Sequence, residues 1–255
     1  MVKLGGSVIT HKDRYRAFNQ EATDRLTSEI VRSGKEVIIV HGAGSFGHIL
    51  AKKYQLHKGY IDKKQVQGIS KVMLDVRDLN LRVMRSLDKS GLPASSIPPS
   101  ACAMMKDGML YHMEMSAFQN HINLGITPVT FGDVVPDKTR RFGICSGDQL
   151  MMLLAQEFKP ERIIFCADVD GIFTSDPHID RGARLIRIVR RATLDALPRT
   201  SRYADVTGSI FSKIQHMLRI SQEGGSTMVI NGLVKGRLEK ALKGQKVIGS
   251  QVEGG

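Results

Sequence analysis

Residues 36–54 read EVIIVHGAGSFGHILAKKY, and the order of chemistry within them decides the fold class. The apolar run at 37–40 has the length and β-branched content of a buried strand. A glycine-rich turn follows, and a second histidine, His48, stands where a helical pattern begins. Strand, turn and helix in that order form the repeating unit of a parallel sheet, whose ligands bind at the carboxyl ends of the strands. Small residues in the turn let a ligand approach the backbone, and free N–H groups at the helix start attract an anion. A histidine there becomes cationic beside a phosphate dianion, and such a charge-assisted hydrogen bond is worth roughly 1.5–3 kcal/mol. A histidine that merely covers the helix start reads the same way at this level.

The alternation extends in both directions. Residues 2–4 and 8–9 predict a first strand interrupted by Gly5 and Gly6. Residues 20–33 predict a helix with Ala22, Leu26, Ile30 and Val31 at helical spacing. Residues 63–90 carry the strongest helical period, from Val66 and Ile69 through Val72 and Val76 to Leu87, and Gly91 and Pro93 end it. A Pro/Ser-rich connection at 93–100 leads to a hairpin turn at Asp107-Gly108 and a helix at 116–124. The run ITPVTFGDVV at 126–135 reads as one strand, and a helix starts near Ser146. Strands at 162–173, 226–232 and 246–252, with helices at 208–225 and 235–242, complete the pattern. The expected class is α/β, with a mostly parallel sheet covered on both faces. No linker of biased composition divides the chain, so two lobes sharing one sheet are expected rather than separate domains.

Composition narrows the function. Of 255 residues, 42% are apolar, which supports a core, and no run of 18 apolar residues could span a membrane. The N-terminal segment lacks the apolar core of a signal peptide. The three cysteines form no CxxC pair, which argues against a disulfide framework or zinc site, and a cytoplasmic location is the simplest expectation. The net charge of +12 fits a nucleic-acid binder or an enzyme of phosphorylated substrates. Aromatic residues make up only 5%, too few for a base-stacking platform, so no nucleic-acid partner is expected.

The turn GAGSFG at 42–47 matches G-x-G-x-x-G, with Asp62 about twenty residues on. The stretch leading to Asp62, KYQLHKGYID, is polar and broken where a dinucleotide fold needs a second apolar strand. Three lysines stand near glycine turns instead: Lys3 ahead of Gly5-Gly6, Lys12 after that turn, and Lys213 beyond Gly208. Phosphoryl transfer needs cations around the transferring group and little covalent chemistry.

Four segments in chain order, KLGGSVIT at 3–10, SGDQL at 146–150, ADVDGIF at 167–173 and DVTGS at 205–209, resemble the motif series of the amino acid kinase family. HGAGSFGH at 41–48, GDV at 132–134 and LPASSIPPSA at 92–101 resemble its isopentenyl phosphate kinase branch. The resemblance spans essentially the whole chain. It implies a three-layer α/β/α sandwich forming a single domain over 1–255, with an acceptor-binding lobe near 1–150 and an ATP-binding lobe near 151–255. It implies ATP and Mg2+, no dedicated metal ligands, and a homodimer for which the long 63–90 helix is a candidate surface. The implied reaction is ATP-dependent phosphorylation of isopentenyl phosphate to isopentenyl diphosphate, a step of isoprenoid biosynthesis by an alternative mevalonate route.

The same resemblance assigns residues. Lys3 and Lys213 match the lysines that hold the transferring phosphoryl group and the nucleotide phosphates, and Asp148 matches the carboxylate that orders them. Gly5, Gly6, Ser7, Gly44 and Gly208 match the phosphate-binding turns, and Asp168, Asp170, Gly171 and Phe173 match the region that wraps the nucleotide. Lys12 and His48 match acceptor-phosphate ligands, with Ala43, Gly47, Gly132 and Asp133 beside them. Ile69, Val72, Val134 and Ile144 match a pocket for the alkyl tail. Without the resemblance, Asp148 reads as a helix cap and the tail positions as core. Ser209 and Phe211 depart from the family pattern, where glycine and smaller or polar residues are usual, and this bears on nucleotide affinity more than on fold. The rivals are a kinase for another phosphate or phosphonate acceptor such as fosfomycin, whose kinases resemble this branch, and a basic nucleic-acid-binding protein on the same fold.

Overall fold

The computed structural model describes residues 1–196, 210–222 and 225–254. The first half runs β1 (Val2–Leu4), α1 (Gly6–Ile9), α2 (Gln20–Ser33), β2 (Ile39–His41), α3 (Gly44–Lys53), α4 (Lys64–Lys89) and β3 (Ala94–Ser96). A middle section holds α5 (Pro99–Cys102), β4 (Ala103–Lys106), β5 (Met109–Met113), α6 (Ser116–Asn123), β6 (Thr127–Phe131), β7 (Asp133–Asp137) and β8 (Arg141–Cys145). There follow α7 (Gly147–Phe158), β9 (Arg162–Ala167), the short strands β10 (Ile172–Phe173), β11 (Leu185–Ile186) and β12 (Ile188–Val189), and α8 (Arg191–Ala196). The last section holds α9 (Ile210–Gln222), β13 (Ser226–Asn231), α10 (Arg237–Leu242) and β14 (Gly249–Val252).

Eight strands form one sheet in the order β12-β14-β13-β9-β1-β2-β6-β3. Every pairing in it is parallel except β13 with β14. Alternate residues of the central strands enter different cores, as the period of two requires. Ile39, Ile164 and Ile230 pack with Leu26 of α2, Leu79 of α4 and Leu238 of α10. Their chain neighbours Val40, Ile163, Phe165 and Val229 pack with Phe118 of α6, Leu150 of α7 and Ile214 of α9. Helices therefore cover both faces, giving the expected three layers. A second sheet, β5-β4-β7-β8, and a smaller cluster with α3 and α4 flank the centre.

Some local expectations are corrected. Residues 8–9 do not continue the first strand. Val8 and Ile9 donate their N–H groups to the carbonyl of Gly5 at 2.9 and 3.2 Å, which closes a helical turn. The run at 126–135 is two strands. Its first part is buried throughout, so no alternation marked the break. Gly132 divides them, and β7 leaves the central sheet to pair with β8. The 93–100 connection contains the edge strand β3, whose half-buried serines carry no apolar signal. Val31 and Val66, counted in the apolar periods, are exposed. The segment 205–209, with Gly208 and Ser209, lies outside the described residues.

Candidate active site

Two glycine turns meet at the carboxyl ends of β1 and β2. A Cβ on Gly6 would stand 2.6 Å from the backbone nitrogen of Gly44, and a Cβ on Gly42 would stand 2.6 Å from that of Gly6. Only glycine permits this approach. Thr10 stitches the turns together: its hydroxyl donates to the carbonyl of Gly6 at 2.7 Å and accepts from the N–H of Ser45 at 3.0 Å. The hydroxyl of Ser45 is buried without a hydrogen-bond partner among the described residues.

His41, at the end of β2, supports the turn from below. It is fully buried, and its ring stacks on Phe131 at 5.2 Å between centroids. Burial lowers its pKa to about 4. The neutral ring donates from Nδ1 to the carbonyl of Gly42 at 3.0 Å and accepts at Nε2 from Asn80 at 3.2 Å. Of the two histidines in the opening stretch, His41 is therefore structural, and His48 reaches the cavity.

A cavity of about 390 Å³ opens over these turns. Lys3 enters it from β1, with Nζ 2.6 Å from Oδ1 of Asp148 on α7. Ser146 caps α7 by accepting from the N–H of Gln149, so Asp148 is not the cap. Burial pushes the Asp148 carboxyl up, but attraction to Lys3, then to Lys213 and His216 on α9, outweighs it and holds the pKa below the ordinary range. Asp148 thus stays ionised among three basic groups from β1 and α9. On the other side, Asp168 at the end of β9 accepts from Ser7 and from Lys12, each at 2.8 Å. Burial raises the Asp168 pKa, and the bond to Lys12 leads the effects that bring it below normal.

The cavity also has an apolar part. Ala51 lies one turn beyond His48 on α3, Val72 and Val76 come from α4, and Ile144 from β8; all belong to one apolar cluster. Cys145 and Cys166 line the cavity too, but burial pushes both thiols up, Cys166 to about 12, so neither is a nucleophile at neutral pH.

Most residues singled out from sequence converge here. Lys3, Lys12, His48, Asp148, Asp168 and Lys213 line this one cavity, as do Gly5, Gly6, Ser7, Ala43, Gly44, Gly47, Val72, Gly132, Asp133, Ile144 and Gly171. Others stand back from it. Ile69 and Val134 pack in the apolar cluster behind. Asp170 accepts from Arg237 and Asn231, and Phe173 pairs with Leu185 in a two-stranded ribbon. Val76 and Ala51 were missed, although Val76 follows Val72 by four residues and Ala51 follows His48 by three, both steps that keep a helix face. Ser45 was missed because a serine in a glycine turn carries no distinct signal.

A model of the amino acid kinase family matches residues 1–231. The isopentenyl phosphate kinase of Methanothermobacter thermautotrophicus is 36% identical, covering 100% of this chain and 98% of its own. That of Thermoplasma acidophilum is 35% identical, covering 91% of each. A solved isopentenyl phosphate kinase superposes with a TM-score of 0.86 at 34% identity, covering 98% of both chains. The Thermoplasma acidophilum isopentenyl phosphate kinase product complex superposes at 0.82 and 29% identity, covering 99% of this chain and 98% of its own. The UMP kinase of Ureaplasma parvum, at 14% identity and a TM-score of 0.65, shares the fold.

Proposed function

Because the chain belongs to the amino acid kinase family and aligns end to end with its isopentenyl phosphate kinases, we infer that it phosphorylates isopentenyl phosphate with ATP, giving isopentenyl diphosphate and ADP. The observation that carries the reading is one cavity that combines lysines, glycine turns and His48 with an apolar slot. A small phosphate monoester with a branched alkyl tail matches both parts.

The acceptor oxygen is already ionised near neutral pH, so no strong general base is needed. Catalysis rests on positioning and charge neutralisation. In this reading Lys3 and Lys213 hold the ATP phosphates and follow the charge of the transferring group. Asp148 keeps Lys3 in place from below. His48 and Lys12 bind the acceptor phosphate, and Val72, Val76 and Ile144 meet the tail. Magnesium entering with ATP would supply charge neutralisation at the nucleotide phosphates, beside Lys3 and Lys213. Asp148 and Asp168 already face lysines and Asp133 faces Arg77, which suits a metal carried by the nucleotide rather than by a protein cage.

The acceptor lobe in this reading is 1–150 and the nucleotide lobe 151–255, acting in the cytoplasm. A second copy of the chain would meet α4, where Val66, Leu74 and Leu81 are exposed. Neither a phosphonate acceptor nor a nucleic acid draws support from the similar proteins, and among the described residues no helix is long and apolar enough to cross a membrane. The test is ADP release with magnesium and ATP across isopentenyl phosphate, dimethylallyl phosphate, fosfomycin, N-acetylglutamate and carbamate. Turnover confined to the prenyl phosphates is expected. Faster turnover of any other acceptor would overturn the assignment.

A further inference from the structure

Residues 11–16 are exposed, on an excursion that leaves the fold after α1. One bridge, Thr10 against Phe18, closes its base, with the N–H of His11 donating to the carbonyl of Ala17 at 2.9 Å. Lys12 rides on this excursion with its ammonium 2.8 Å from Asp168. A surface loop closed by a single bridge is drawn from the mobile end of a fold. Holding a lysine over a cavity needs something more.

The excursion has a second fixing point, on α4. Tyr15 Oη donates to Asp75 Oδ2 at 2.5 Å. Arg16 adopts a left-handed φ of 54° and sets its guanidinium 3.3 Å from Asp75 Oδ1 and 2.7 Å from Asp78 Oδ2. Asp75 is only 2% exposed, so both oxygens of a buried carboxylate meet consecutive residues of one surface loop. A buried carboxylate is retained only where partners meet its charge, and a left-handed arginine only where its surroundings hold it. Asp75 directly precedes Val76 and follows Val72 by three residues, and both of those line the apolar part of the cavity. One helix therefore touches the tail slot and grips the loop that carries Lys12.

We propose that Asp75, through Tyr15 and Arg16, is a positioning residue for Lys12, fixing the 11–17 excursion to α4 so that the ammonium meets the acceptor phosphate while the tail lies on the same helix. The proposal rests on the reading of Lys12 as an acceptor-phosphate ligand. It assigns function to a cluster built on a buried carboxylate that lies outside the cavity itself.

The experiment is steady-state kinetics with isopentenyl phosphate and magnesium-ATP on Lys12→Ala, Tyr15→Phe, Arg16→Gln, Asp75→Asn and each anchor change combined with Lys12→Ala. Tyr15 is 51% exposed, so Tyr15→Phe removes one hydroxyl without opening the core. The expected result is a loss of about tenfold in kcat/KM for the acceptor in Tyr15→Phe, Arg16→Gln and Asp75→Asn, below the roughly hundredfold that a 1 Å misplacement can cost, with the KM for ATP unchanged. Added to Lys12→Ala, these changes should cost nothing more, because their effect runs through the lysine. Wild-type kinetics in all three anchor variants would overturn the proposal, as would losses that multiply with that of Lys12→Ala. If Lys12→Ala is itself silent, the assignment of Lys12 falls and the positioning role falls with it. If Lys12→Ala is impaired and the anchors are silent, only the positioning role fails.

Discussion

At the scale of single residues, charge and burial assign the roles. Asp148 and Lys3 form a pair at 2.6 Å whose carboxylate is buried, so removing either partner leaves a charge in a poorly solvated place. His48 lines the cavity, where it is proposed to bind the phosphate of the substrate. His48→Ala should lower kcat/KM for isopentenyl phosphate by roughly 10- to 100-fold, the worth of one charge-assisted hydrogen bond, while ATP affinity stays within about twofold. Isothermal titration with a non-hydrolysable ATP analogue, beside acceptor kinetics, separates the two. Equal loss of both would remove His48 from the acceptor side. The residues legible from sequence were those next to glycine strand ends, where the type of residue already implies anion binding. Tyr15 and Asp75 were not legible, because each reads as an ordinary surface residue until sixty positions of chain are folded together.

At the scale of elements, the site is a contact between turns and helices. The turns after β1 and β2 touch through Gly6 and Gly44, and α3 lies against α4 across Gly47. A Cβ on Gly47 would meet that of Ala43 at 2.5 Å and Val76 at 3.3 Å. The tail slot is bounded by Ala51 on α3 and by side chains on α4 and β8. Val72→Ala should lengthen the slot and raise the relative rate on geranyl phosphate over isopentenyl phosphate by about tenfold, the order expected for a methylene or two of pocket space. Ile69→Ala should change this ratio far less, since Ile69 packs behind the wall. Competition kinetics with the two acceptors decides it, and an unchanged preference in Val72→Ala would return that residue to plain core. The α4 period announced an apolar face without saying which residues of it border the cavity.

At the scale of the whole molecule, His41 ties stability to pH. Its pKa falls from 6.5 to about 4 because it is buried in the folded chain. Above about 6.5 the imidazole is neutral in both folded and unfolded chains, so its contribution is fully present. Between about 6.5 and about 4 the unfolded chain gains a proton that the folded chain refuses, and stability drops by about 3 kcal/mol over that window. Denaturant unfolding across this range should show the drop, and His41→Gln should shrink it. An identical acid limb in the variant would rule out His41 as its source.

The alternation of strands and helices, the glycine turns at strand ends and the cations beside them were determined by the sequence itself. Each depends on local period, turn chemistry or side-chain charge. The pairing of Lys3 with Asp148 across 145 positions, the bond from Thr10 to the second glycine turn, the exit of β7 from the central sheet and the hold of Asp75 on the Lys12 loop were decided only by the tertiary structure. Those contacts join residues distant in the chain. Their strength comes from burial and from the close packing of the two glycine turns, neither of which exists until the sheet is assembled.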